Sequence, residues 1–279
     1  MMISDIRLPD SLGCTVASTA VILSLVKSEL FKTINVFTKF PSLICNFKNI
    51  EIVDASITEA DSYHVDLRTY TARRPHNSQP YRPSYVHMIE MAMDQLKHDL
   101  SIVKPNIILT EDDEFFARNE ISRFKKPLIW LQTKSTTENR NWSDKCWHEL
   151  YSIFSDHFDF LDLSNSKYSL RQSLAITKFS FAGICPDSFL VHGSAAVGAK
   201  NVIVLLGSSR KECVTYPGQV VLYNKSKCVA QPCGMHGYYR GSNRAHDALF
   251  RSKNCIHSTH LCMDTLSVAE VSRHINSLT

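Results

Sequence analysis

The chain has 279 residues, 31 Lys or Arg against 27 Asp or Glu, and a formal net charge of +4 at pH 7. So small a charge demands no polyanionic partner, and an apolar content of 44% is that of an ordinary globular protein with length enough for two compact halves. The apolar run Val16 to Val26 is too short to span a bilayer, and Asp5 and Asp10 stand where a basic leader would be. No transmembrane segment and a cytoplasmic location are therefore expected, with the nine cysteines kept as reduced thiols or metal ligands.

In chain order, Ile3 to Leu8 predicts a first strand, Pro9 to Cys14 a turn, and Thr15 to Leu30 a helix with Val16, Ala20, Leu23 and Val26 at near-helical spacing. Short strands are predicted at Asn35 to Thr38, Ile50 to Val53 and His64 to Leu67, and a helix within Ser84 to Leu100. Between them lies a basic, aromatic tract that holds Arg68, Arg73, Arg74 and, further on, Tyr81 and Arg82. Arginine beside aromatics suits phosphorylated sugars or a nucleic-acid backbone, and equally a solvated loop. Lys104 to Glu114 reads as an extended piece followed by a helix whose acidic first turn suits the helix dipole. Lys125-Lys126-Pro127 marks the expected link, dividing the chain into 1–125 and 126–279.

Pro127 to Gln132 predicts a strand, followed by a hydroxyl-rich loop from Thr133 to Ser143, with Ser143 as N-cap of a helix through Trp147 and Leu150 to Phe154. Further elements are expected at Phe160 to Leu163, Leu170 to Lys178 and Phe181 to Cys185. Cys185 to Gly198 then reads as a strand end, an acidic turn and a helix start, with Val202 to Gly207 as the next buried strand. Amides 188 to 191 would lack intrahelical partners and face an anion, and Asp187 would cap the helix or accept from a sugar hydroxyl. A second basic, aromatic tract runs from His236 to Arg244. Cys228, Cys233, Cys255 and Cys262 sit near His236, His257 and His260, a set able to close a tetrahedral zinc site, although the gap from Cys228 to Cys233 exceeds the usual knuckle. Alternating strands and helices imply two parallel α/β domains facing each other.

The order Asp187-Ser188-x-x-x-His192-x-x-Ala195-Ala196-x-Gly198 resembles the sugar-nucleotide motif of the ADP-heptose:lipopolysaccharide heptosyltransferases, glycosyltransferase family 9, with Phe189 where that family has glycine. The upstream loop is similar too: Ser135 and Thr136 take the positions of phosphate-binding hydroxyls, and Arg140 takes that of a lysine two places before a Trp. Ser11-Leu12-Gly13-Cys14 resembles the turn that carries the family's general base, with Cys14 in the aspartate's place and Asp10 on the same turn. A helix start can lower a thiol's pKa, and a buried, inert Cys14 is the other reading.

The resemblance implies a GT-B fold: two Rossmann-like domains across a cleft, the N-terminal one shortened. It also implies inverting transfer of a heptose or other sugar from a nucleoside diphosphate to an acceptor hydroxyl, most naturally on a bacterial surface saccharide. Donor contacts would come from Ser135, Thr136, Arg140, Asp187, Ser188, Phe189 and His192, and acceptor contacts from Arg68, Arg73 and Arg74. Asp10, Cys14 and Arg140 would do the chemistry without a required cofactor. His192 would contact the donor or simply pack between helix and sheet. The segment from Cys262 to Val271 resembles the family's late cysteine segment, and one branch holds iron through such cysteines, so a structural Zn or Fe is one reading there and unligated reduced thiols in a packed loop the other. Two other outcomes fit the same residues: a DNA-modifying glycosyltransferase, and a sugar-nucleotide-binding protein that has lost catalysis.

Overall fold

The computed structural model describes residues 3–68, 70, 82–165, 167–223, 228, 231 and 259–278. In the first half, β1 (Ile3–Arg7), α1 (Leu12–Ser28), β2 (Thr33–Thr38), α2 (Pro41–Ile44), β3 (Ile50–Asp54), β4 (Val65–Asp66) and α3 (Ser84–Leu96) follow one another. Their strands pair in parallel in the order β3-β2-β1-β4. Beyond the two residues of β4, the His64 and Leu67 amides also donate to Asp5 and Arg7 carbonyls, so the pairing spans the predicted strand.

α4 (Glu111–Ile121) leads into β5 (Leu128–Leu131), α5 (Asp144–Phe154), β6 (Asp159–Asp162), α6 (Leu170–Phe179), β7 (Ala182–Pro186) and α7 (Phe189–Ala196). β8 (Val202–Leu206), α8 (Lys211–Val214), β9 (Val220–Tyr223), α9 (Leu261–Asp264) and α10 (Val268–Asn276) complete the described elements. The second sheet is also parallel, in the order β6-β5-β7-β8-β9. Ser143 caps α5 as expected, and capping boxes start α4 (Thr110 with Asp113), α6 (Ser169 with Gln172) and α10 (Ser267 with Glu270).

Helix α1 differs from its expected form: it starts at Leu12, where Thr15 N–H bonds Ser11 O at 2.8 Å. Gly13 and Cys14 therefore lie in its first turn. The helix is apolar nearly all round because α3 packs on one side and α7, from the second half, on another. One core consequently runs through both halves, joining Ile6, Val16 and Met88 to Leu174, Val191 and Val204. A second core fills the opposite face of the second sheet, under α5 and α10, where Trp142 Nε1 donates to Leu266 O at 2.9 Å. The division after residue 125 separates the two sheets, while α4, on its first side, packs on α6 of the second half. Among the described residues no helix is long and apolar enough to cross a membrane.

Gly183 on β7 shows how tight the second sheet is. A Cβ there would fall 1.8 Å from Cε2 of the fully buried Trp130. Gly183→Ala is expected to lower unfolding stability in denaturant titrations by about 1–3 kcal/mol or more through overpacking. A loss below about 0.5 kcal/mol would show that Trp130 can move aside at no cost.

Candidate active site

Parallel sheets collect their loops at the carboxyl ends of the strands, and both sheets place their polar residues there. After β5, the loop 133–143 closes with a 3-10 turn from Glu138 to Arg140. That turn brings Arg140 Nη1 to within 3.0 Å of the Asp187 carbonyl oxygen and 3.9 Å of Asp187 Oδ2, at the start of α7. Asp187 does not cap the helix: it is buried and its Oδ2 accepts from Ser209 Oγ, beyond β8. Ser188, the residue at the cap position, makes no cap bond either. Its hydroxyl accepts instead from Gln132 Nε2 at 2.9 Å. The expectation that amides 188 to 191 all lack partners is corrected here: the Leu190 N–H donates to Gln132 Oε1 at 3.4 Å and the Val191 N–H to Ser188 O at 3.2 Å, so the guanidinium meets the positive end of a helix whose first-turn amides are partly occupied.

The other predicted donor residues take different places. Ser135 shapes its own loop: its N–H donates to Asn141 Oδ1 at 2.7 Å and its hydroxyl to Thr137 O at 2.9 Å. Thr136 is exposed beside it. Phe189 is half-buried and packs on the shared core, 3.7 Å from where a Cβ at Gly193 would be.

His192 lies across the junction of the two halves, between α7 and the start of α1. Its ring edge abuts Gly13 so closely that a Cβ there would stand 2.9 Å from Cδ2 and 3.4 Å from Nε2. The other edge is held by a 2.8 Å hydrogen bond between Nδ1 and the Tyr216 hydroxyl, and Tyr216 stacks on Tyr85 of α3 at 5.8 Å. Burial pushes His192 down to about 4, with the Asp187 charge acting upward and that of Arg140 downward, so the ring is neutral at pH 7. The expectation of an activated Cys14 is corrected here. Burial raises the thiol's pKa, and the Ser11 hydrogen bond and Arg140 charge do not reverse it, so Cys14 stays protonated.

At the carboxyl end of the first sheet, Arg7 is only 1% exposed. Its Nε and Nη2 donate to Glu59 Oε1 at 3.0 and 2.9 Å, Nη2 also to Asp10 Oδ1 at 2.7 Å, and Nη1 to Leu8 O at 2.6 Å. Lys39, just past β2, reaches the other Asp10 oxygen at 3.1 Å. Arg68 pairs with Asp66 at 2.8 Å and Glu59 at 3.8 Å, with its guanidinium over the Tyr63 ring. Arg73 and Arg74 lie outside the described residues. Sequence reasoning passed over Arg7, Lys39, Glu59, Gln132, Ser209 and Tyr216. Only Arg7 left a signal, a cation between the core residues Ile6 and Leu8.

For the metal expectation, Cys228 is buried, and Cys262 packs with Met263 over Gly207 in the second core. Cys233 and Cys255 lie outside the described residues, among which no three potential ligands gather. The predicted four-thiolate set thus lies only half within the described residues.

No protein-family model matches the chain, and no curated protein matches it by sequence. Solved structures do match by fold. ADP-heptose lps heptosyltransferase II of E. coli aligns over 100% of this chain and 98% of its own, with a TM-score of 0.67 at 13% identity. The glycosyl transferase family 9 protein of Veillonella parvula aligns over 99% and 96%, with a TM-score of 0.68 at 13% identity. The iron-containing dodecameric glycosyltransferase TibC of enterotoxigenic E. coli aligns over 99% and 78%, with a TM-score of 0.67 at 14% identity.

The carboxylates at the first sheet yield a pH prediction. Hydrogen bonds from Arg7 and then Tyr63 hold Glu59 down at about 2, from an ordinary 4.5. Burial pulls Asp10 up, but bonds and charge from Lys39 and Arg7 outweigh it and leave Asp10 below its ordinary value. Both groups are more acidic folded than unfolded, so their stabilisation is complete above about pH 4.5 and is lost as the pH falls toward 2. Unfolding free energy measured across that window is expected to drop on acidification, and Glu59→Gln to flatten the slope. An unchanged slope in Glu59→Gln would contradict the pairing. By its architecture, the chain has the GT-B fold of the family 9 heptosyltransferases.

Proposed function

We propose that the chain transfers a sugar from a nucleoside diphosphate to an acceptor hydroxyl, with inversion at the anomeric carbon. The observation that carries this reading is the meeting of Arg140 with the start of α7. A departing diphosphate develops negative charge as the sugar–oxygen bond breaks. A guanidinium and a helix start, fixed beforehand, stabilise that charge without reorganising. Gln132 bonds the Ser188 hydroxyl through Nε2 at 2.9 Å and accepts from the Leu190 N–H through Oε1 at 3.4 Å, and so ties the end of β5 to the start of α7. The neighbours support a nucleotide-sugar donor: TibC has been solved with ADP-D-beta-D-heptose and E. coli WaaC with ADP.

The acceptor belongs at the carboxyl end of the first sheet, across from the donor. Arg68 gives its charge to Asp66 and Glu59, an arrangement better suited to a hydroxyl-bearing saccharide than to DNA. At the α1 start, Cys14 is a protonated thiol, and Asp10 gives its oxygens to Arg7 and Lys39. That turn also supports a second reading, a sugar-nucleotide-binding protein without turnover, in which the donor binds and no diphosphate is released.

A thermal-shift screen with ADP-, UDP-, GDP- and dTDP-sugars tests the donor site, since a ligand at a hundred times its Kd stabilises by about 2.7 kcal/mol. Arg140→Ala is expected to reduce release of nucleoside diphosphate by about 10²–10³-fold, with partial recovery in Arg140→Lys. Wild-type release by Arg140→Ala would refute the assignment of Arg140.

A further inference from the structure

The turn that resembles the family's base-bearing turn offers a protonated thiol, yet another proton acceptor stands beside it. His192 projects from α7 into the junction, with the edge that carries Nε2 against Gly13, the residue before Cys14. Asp187 and Arg140 both act on its charge, which places the ring within the field of the proposed diphosphate site. The side chain as a whole is 7% exposed. Nε2 makes no hydrogen bond among the described residues.

We propose that His192 is the general base of the transfer and that Tyr216 is its positioning residue. The assignment rests on the glycosyltransferase reading above. The 2.8 Å contact between Nδ1 and Tyr216 Oη holds the ring, and the assignment requires the tautomer in which Nδ1–H donates to Oη and the lone pair lies on Nε2. The acceptor hydroxyl gives its proton to Nε2 as its oxygen bonds to the anomeric carbon. The bond from that carbon to the diphosphate breaks on the opposite face, and its electron pair leaves on the diphosphate, beside Arg140. The imidazolium formed is favoured by Asp187 and opposed by Arg140. Tyr216 bonds its other edge, and Cys14, next to Gly13 in the first turn of α1, feels the same Asp187 and Arg140 charges.

The basicities fit this assignment. Buried His192 titrates at about 4, the range of an ordinary carboxylate base, whereas Asp10 is held below that range by two cations. Tyr216 is in turn fixed by its stack on Tyr85, so the ring orientation depends on contact between the two halves.

The test uses the full chain with ADP-heptose and UDP-glucose as donors, water as acceptor, and release of nucleoside diphosphate as readout. His192→Gln should slow release by about 10²–10⁴-fold while ADP or UDP affinity stays within about twofold. Added imidazole should restore part of the rate in His192→Ala. Tyr216→Phe keeps the stack and loses the hydrogen bond. It should lower kcat by about tenfold with KM unchanged, and it covers the case in which the histidine variants do not fold. A His192→Gln protein as fast as wild type, or one whose nucleotide affinity falls as far as its rate, overturns the proposal, as does an unchanged kcat in Tyr216→Phe. A wild-type chain that binds no nucleotide overturns the glycosyltransferase reading itself, and this assignment with it.

Discussion

The hydrogen bond from Arg140 to the Asp187 carbonyl is the interaction on which the functional account depends. Alone it joins a loop to a helix start. Its consequence is electrostatic: a fixed positive charge and the positive end of a helix dipole are brought to one point at the carboxyl edge of a parallel sheet. Without an anion such a pair of like potentials is unfavourable, and nearby Asp187 offsets it in part. The buried hydrogen bond from Ser209 keeps that carboxylate in place.

The second constraint is the close approach of α7 to α1. A glycine at position 13 lets the His192 ring lie against the helix backbone, and the shared core beneath leaves little room for the halves to slide. The start of α7 and the first turn of α1 are thereby held at contact distance. At the end of β1, just before that helix, Arg7 is likewise held in place. A buried guanidinium costs several kcal/mol unless paired, and here Glu59, Asp10 and the Leu8 carbonyl pair it. One arginine so fixes the geometry of the whole first-sheet edge.

Much of this was legible in the sequence. Apolar runs such as Leu128 to Leu131 and Val202 to Leu206 marked buried parallel strands, and Ser143 marked a helix start. The approach of Arg140 to Asp187 followed from two short motifs set on neighbouring strands. The start of α1 was misplaced by three residues because Ser11, Leu12 and Gly13 read locally as a turn. Tertiary packing against α3 and α7 draws them into the helix. Tyr216 and Glu59 could not be found at all. Their partners, His192 and Arg7, lie 24 and 52 positions away, and no local pattern encodes a pairing that only the fold creates.

The most direct measurement is a crystal structure of the chain with a bound nucleoside diphosphate. The account predicts the diphosphate oxygens within hydrogen-bonding distance of the Arg140 guanidinium and of the first-turn amides of α7. A nucleotide seated elsewhere, with the Arg140 guanidinium still on the Asp187 carbonyl, would contradict it.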